Sequence, residues 1–161
     1  MVAELIKDTE TLESILKSYT LDKESAEYWD SVICDINEAK ENGEWAETDW
    51  ETIITTYILY DESGTKLGIA SFSQNTEHHT FLKDKSYIFI DHFTFFSQEF
   101  YDTYTRDFIE MLKKLYPAEH EIRTAYWTRD ILIHPALVKA GFTEKKGKFL
   151  GTKATISFMK F

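Results

Sequence analysis

The chain is poor in the residues that staple, break or loosen a fold. Its 161 residues include one cysteine, two prolines and six glycines. A single cysteine, Cys34, excludes a disulfide framework within the chain. It falls in an apolar-periodic segment and is expected to be a small buried hydrophobe rather than a nucleophile. The scarcity of proline and glycine, with no repeats or low-complexity segments, leaves no linker to mark a second domain, so one domain over 1–161 is expected. No apolar run reaches the length of about 18 residues that a spanning helix needs, and no basic segment leads into an apolar one at the start. The expectation is a soluble, cytoplasmic protein with no membrane partner.

Cations are also in deficit. Eighteen Lys and Arg face 28 Asp and Glu, a formal net charge of -10. Nucleic acid is therefore not expected as a partner, because phosphate contacts need clustered Lys and Arg. A cationic amine suits the balance, and so does plain solubility. What is abundant is apolar and aromatic: 43% hydrophobic and 16% Phe, Trp and Tyr, enough for a packed core.

Read in order, Ala3 to Lys7 suits an edge strand. Asp8 or Thr9 can cap a helix with Leu12, Ile15, Leu16 and Tyr19 on one face. A second helix is predicted from Ser25 to Glu41, with Ala26, Trp29, Ile33 and Ile36 as its apolar stripe and Gly43 as its stop. Thr52 to Tyr60 and Lys66 to Phe72 read as strands joined by a turn at Asp61 to Gly64. Asn75 to Asp84 is polar and reads as a loop. Tyr87 to Phe96 is nearly continuous in apolar residues, as a strand buried on both faces would be. Tyr101, Tyr104, Phe108, Met111, Leu112 and Leu115 follow at helical spacing, and Asp102 suits the N-cap of that helix. Glu121 to Thr128 is a further strand and Asp130 to Ala140 a short helix interrupted at Pro135. Thr143 to Phe149 and Thr152 to Phe161 close the chain as two strands.

The order β, α, α, β, β, β, α, β, α, β, β contains one strand-helix-strand crossover, Tyr87 to Thr128. That crossover implies one parallel pair in an otherwise antiparallel sheet, because a crossover of this length joins parallel neighbours. The expected class is α+β: a mixed, mostly antiparallel sheet with helices on both faces. Thr52–Tyr60, Lys66–Phe72, Tyr87–Phe96 and Glu121–Thr128 should be neighbours in that order.

Three local matches carry a family resemblance. VKAGF (Val138 to Phe142) looks like a helix ending "EKLGF" before a hairpin. KLGIASF follows a turn containing Gly64, and IDHFTF (Ile90 to Phe95) stands where an "xEDLAV" strand would. With this order of elements the chain resembles the GNAT acyltransferases over essentially its whole length. The resemblance implies a splayed parallel strand pair that receives acetyl-CoA, with Phe93 and Phe95 on the first strand. It also implies a pyrophosphate loop of pattern Q/R-x-x-G-x-G/A, for which Phe100 to Thr105 stand here. Those six residues lack every glycine of the pattern. Thr103 and Thr105 stand at its glycine places and Tyr101 at one of its variable places, Arg106 is the nearest cation, and weak acetyl-CoA binding is expected. The family's asparagine corresponds to Asp130 and its proton-donating tyrosine to Leu137.

Chemistry at such a site needs an amine freed of its proton. Asp91, inside the central strand, could take it, or else stand as a surface carboxylate. His92, pointing to the other face, is the second candidate base, or a hydrogen-bonded core histidine. Tyr126 could replace the missing tyrosine, or belong to the core. His78 and His79 are adjacent and have no cysteine or carboxylate at ligand spacing, so a zinc site is not expected. His134, before Pro135, reads as a helix-start residue. The resemblance implies transfer of an acetyl group to a small-molecule or protein amine. The alternatives are a non-catalytic module of the same fold that binds a basic partner, and a subunit role. Exposed Trp45, Trp50 and Trp127 would support the last, a homodimer included.

Overall fold

The computed structural model describes residues 1–43, 55–77, 85–126 and 132–161. The readings placed on Trp45, Trp50, His78, His79, Trp127 and Asp130 lie outside those residues. Within them, no helix is long and apolar enough to cross a membrane.

The chain opens with strand β1 (Val2–Leu5) and helix α1 (Thr9–Ser18). Asp8 caps α1: its carboxylate accepts the Thr11 N–H at 2.6 Å and the Thr11 hydroxyl at 2.9 Å. Helix α2 (Lys23–Glu41) starts two residues earlier than its apolar stripe suggests, because Asp22 accepts the Ser25 N–H at 3.0 Å. The buried residues of α2 are Ser25, Trp29, Val32 and Ile36. That stripe is turned slightly from the expected one, and it leaves Cys34 exposed rather than buried. At 100° per residue, position 34 lies on the far side from both Val32 and Ile36.

Strands β2 (Thr56–Tyr60) and β3 (Lys66–Glu77) form the predicted hairpin, with Asp61 accepting the N–H groups of Ser63 and Thr65. β3 runs five residues beyond Phe72, so Asn75 to Glu77 are strand, not loop. Side-chain bonds support this polar end: Arg123 pairs with Glu77, and Gln74 donates to Glu119. β4 (Lys85–Phe95) follows, then helix α3 (Gln98–Leu115), β5 (Glu121–Tyr126), helix α4 (Ile133–Lys139), β6 (Thr143–Phe149) and β7 (Thr152–Lys160). Pro135 does not interrupt α4. It lies in the first turn, where its missing N–H has no partner to lose. Gly141 takes φ 106°, and Phe142 N–H then bonds Leu137 C=O at 3.0 Å to close the helix.

The seven strands form one sheet in the order β1-β2-β3-β4-β5-β7-β6. β4 and β5 are the parallel pair, with Ile88 opposite Ile122 and Phe89 opposite Arg123. β1–β2, β2–β3, β5–β7 and β6–β7 are antiparallel. This is the mixed α+β architecture that the element order implies.

Two compact units divide the chain: Val2–Ser71 with His92–Phe96, and Met1, Phe72–Asp91 and Ser97–Phe161. In the first, Ile6, Leu12, Ile15, Trp29, Val32, Ile36, Ile58 and Ile69 form one apolar cluster. In the second, fully buried Phe72 and Phe108 meet edge to face, ring centroids 6.0 Å apart.

Candidate functional site

The strand-to-helix joint after β4 is the first place to look, and it differs from expectation. It consists of Phe96 and Ser97 alone, because α3 begins at Gln98. Ser97 holds the N-cap position with extended backbone, and its hydroxyl makes no capping bond. Asp102 is therefore not the cap. It lies in the second turn, and its carboxylate bonds the Lys139 ammonium at 2.7 Å. The apolar stripe that starts at Tyr101 hid the earlier start, which Phe100 and Tyr104 support by packing edge to face one turn apart.

Residues Phe100 to Thr105 are thus helix, not loop. From Asp102 onward their N–H groups belong to the helical ladder and cannot cradle an anion. Thr103 is exposed and its hydroxyl donates to Glu99 C=O at 3.0 Å. Thr105 is buried and donates to Tyr101 C=O at 2.6 Å. Tyr101 is 4% exposed.

The helical surface nonetheless builds a groove. Tyr101, Asp102, Thr105 and Arg106 of α3 and Ala136, Lys139 and Ala140 of α4 line a space of about 440 Å³. Three of the expected cofactor residues, Tyr101, Thr105 and Arg106, come together there; Thr103 does not line it. Lys139 was not anticipated, although it stands inside the VKAGF segment. With Arg106 it gives the groove two cations, one of them shared with Asp102. Small Ala136 and Ala140 leave the floor open.

Phe93 and Phe95, the other expected cofactor residues, are buried in β4 and contact each other edge to face, ring centroids 5.7 Å apart. His92, one residue before Phe93, faces α2. Its ring stacks on Tyr28 with centroids 4.3 Å apart, and its Nε2 lies 3.1 Å from the Ser25 hydroxyl. Beside it, Trp29 Nε1 donates to Thr94 Oγ1 at 2.9 Å. Asp91, of opposite parity, is exposed.

Tyr126, at the end of β5, has partners that the sequence did not suggest. Its hydroxyl meets Nε2 of His134, the second residue of α4, and that same nitrogen lies 2.5 Å from the Glu144 carboxylate on β6. His134 is a helix-start residue as read, but it is buried. Burial raises the Tyr126 phenol above its ordinary pKa, and the Glu144 charge raises it further. Leu137, at the place of the family tyrosine, is buried. Among the described residues no cluster of three His, Cys, Asp or Glu could hold a metal ion.

No protein-family model matches the chain, and no curated protein matches it. Solved structures do. The AtaT mutant toxin bound to the C-terminus of the antitoxin AtaR and acetyl-CoA aligns at a TM-score of 0.59 and 11% identity, covering 99% of this chain and 92% of that one. AtaT complexed with acetyl-methionyl-tRNAfMet aligns at 0.54 and 10%, covering 99% and 94%. A putative GNAT-family acetyltransferase from Desulfovibrio desulfuricans aligns at 0.57 and 9%, covering 99% and 98%. The chain has the GNAT acetyltransferase fold, and structures that share it hold acetyl-CoA.

Proposed function

We propose that the protein is an acetyl-CoA-dependent acyltransferase that moves an acetyl group to an amine of a small molecule or protein. The observation that carries this reading is the agreement of the fold with acetyltransferase structures over 99% of the chain. The α3–α4 groove supports it. Lys139 and Arg106 suit the phosphates of a nucleotide-bearing thioester, as side-chain cations taking the place of the missing glycine loop. Binding by two exposed cations, with Asp102 competing for one of them, is weak.

The reaction breaks the thioester C–S bond and forms an amide C–N bond. The amine must first lose a proton, and the leaving thiolate must gain one. Asp91 is exposed and can receive the amine proton directly or through water; His92 is the second candidate for that task. Tyr126 carries the proton for the thiolate, and its raised pKa keeps it protonated at neutral pH. The net charge of -10 favours a cationic amine over one presented on nucleic acid.

The test is direct. Acetyl-CoA should raise the melting temperature, as any ligand selective for the folded state must. Thiol release should follow when a panel of primary amines is added. Asp91→Asn should then lower turnover and shift its pH dependence with little change in acetyl-CoA affinity, and equal turnover would pass the role to His92. One observation favours a second reading, a non-catalytic module that binds a basic partner: helix stands where the family keeps its anion loop. A melting temperature unmoved by millimolar acetyl-CoA would establish that reading over the first.

A further inference from the structure

Three side chains from three elements meet at one nitrogen. Tyr126 comes from the end of β5, His134 from the first turn of α4 and Glu144 from the start of β6. Nε2 of His134 contacts both the Tyr126 hydroxyl and the Glu144 carboxylate. His134 is 7% exposed, so the arrangement is shielded from water on the imidazole side, while Glu144 reaches it from a position 36% exposed.

We propose that His134 and Glu144 are a positioning pair that aims the Tyr126 hydroxyl proton at the leaving thiolate. This rests on the acyltransferase reading above.

Hydrogen-bond supply decides which way the phenol proton points. Nε2 carries either one proton or one lone pair. Glu144 is an acceptor when ionised and draws a proton onto Nε2, since N–H to carboxylate is the stronger, charge-assisted bond. That N–H then also points at the phenol oxygen, which can only accept from it. Ser157 and Thr155 hydroxyls stand beside the phenol as further donors and Glu144 as an alternative acceptor; with that carboxylate engaged by Nε2–H, the hydroxyl proton of Tyr126 turns away from the cluster. With the carboxylate removed, the imidazole is free to present its lone pair, and the phenol would donate inward and lose its aim. In the transfer step the phenol O–H bond breaks as the thiolate S–H bond forms. The phenolate left behind accepts the Nε2–H bond until solvent returns its proton. Nothing is oxidised or reduced. His134 and Glu144 touch Tyr126 and each other, not the substrate, so their effect on rate passes through the phenol.

The experiment compares wild type, Tyr126→Phe, His134→Leu, His134→Gln and Glu144→Gln in the full chain. Two readouts are used: acetyl transfer from acetyl-CoA to a primary amine, and the titration of Tyr126 followed by NMR of ring-labelled tyrosine. Tyr126→Phe and His134→Leu should each lower kcat tenfold or more with KM for acetyl-CoA unchanged. His134→Gln, which keeps an N–H donor, should recover part of that loss. Glu144→Gln, at a partly exposed strand position that tolerates change, should shift the Tyr126 titration and reduce kcat. Turnover by wild type with kcat and the Tyr126 signal unmoved in His134→Leu and Glu144→Gln would overturn the pair alone. Absence of turnover in wild type would overturn the acyltransferase reading, and the aimed proton with it.

Discussion

A methyl group on Gly68 would sit 2.2 Å from the carbonyl oxygen of Thr94. No side chain can occupy that position, because the neighbouring atom is backbone and cannot swing aside. Gly68 lies in the KLGIASF strand, and one residue before it Leu67 C=O accepts the Phe96 N–H at 2.9 Å. The glycine is there for close approach, not for a turn. Gly68→Ala should cost about 3 kcal/mol or more through forced backbone movement. A denaturant titration reads it, and a loss under about 1 kcal/mol would show that the strands approach less closely than described.

Asp8 offers a pH-dependent test. The backbone N–H of Thr11, then its hydroxyl, hold the Asp8 carboxyl below its ordinary value of 3.8. A carboxyl depressed in the folded state contributes stability that is full above the ordinary value and fades as pH falls through the folded one. Asp8→Ala should cost about 1 kcal/mol at neutral pH, as the loss of an N-cap does. The gap between variant and wild type should close as the titration is taken below 3.8.

Leu150 is the one residue other than glycine with positive φ among those described, at 49°, and it is 82% exposed in the β6–β7 turn. It gains little from burial there and bears the left-handed strain of about 1–2 kcal/mol. Leu150→Asn should raise stability by about 0.5–1 kcal/mol, since asparagine tolerates that backbone region better. An unchanged melting curve would mean that the leucine is held by contacts its exposure does not reveal.

Much of the fold could be read in advance because strand and helix leave different apolar periods. The parallel pair followed from one crossover between two apolar strands, and the hairpin from Asp61 to Gly64. The misses have two causes: local polarity misleads where side chains supply the missing order, and burial misleads about where a helix starts. Asn75 to Glu77 look like loop until Arg123 and Glu119 are placed beside them. Ser97 to Phe100 look like loop because the apolar stripe starts at Tyr101, yet helix starts where the first turn can form, not where burial begins. The groove was half visible. Tyr101, Thr105 and Arg106 were in view, but Lys139 lies 33 residues from Arg106, and only the fold brings it near. The Tyr126 cluster was hidden for the same reason, since sequence spacing says nothing about three partners on three elements.

On the acyltransferase proposal, the Asp102–Lys139 bond bears on ligand affinity. Both side chains are about two-thirds exposed, at 67% and 68%, so the pair contributes at most about 1 kcal/mol to stability. Asp102→Asn should release Lys139 and tighten acetyl-CoA roughly two- to fivefold, with little change in melting temperature. Lys139→Ala should weaken it, and added salt should shrink both effects. Calorimetry on the three proteins at two ionic strengths decides the matter, and identical affinities would remove Lys139 from the site.

β6 ends the sheet, and Lys145, Lys146 and Lys148 stand exposed along it. A bare strand edge is a template on which another chain can grow. Here two molecules meeting edge to edge would bring lysine rows against each other, so repulsion rather than shape keeps the ladder from extending. A guard made of charge is only as strong as the solution allows. Below physiological ionic strength it reaches beyond about 8 Å, and in concentrated salt it falls to about 3 Å. Salting should therefore promote pairing of two molecules at this edge before it disturbs either core.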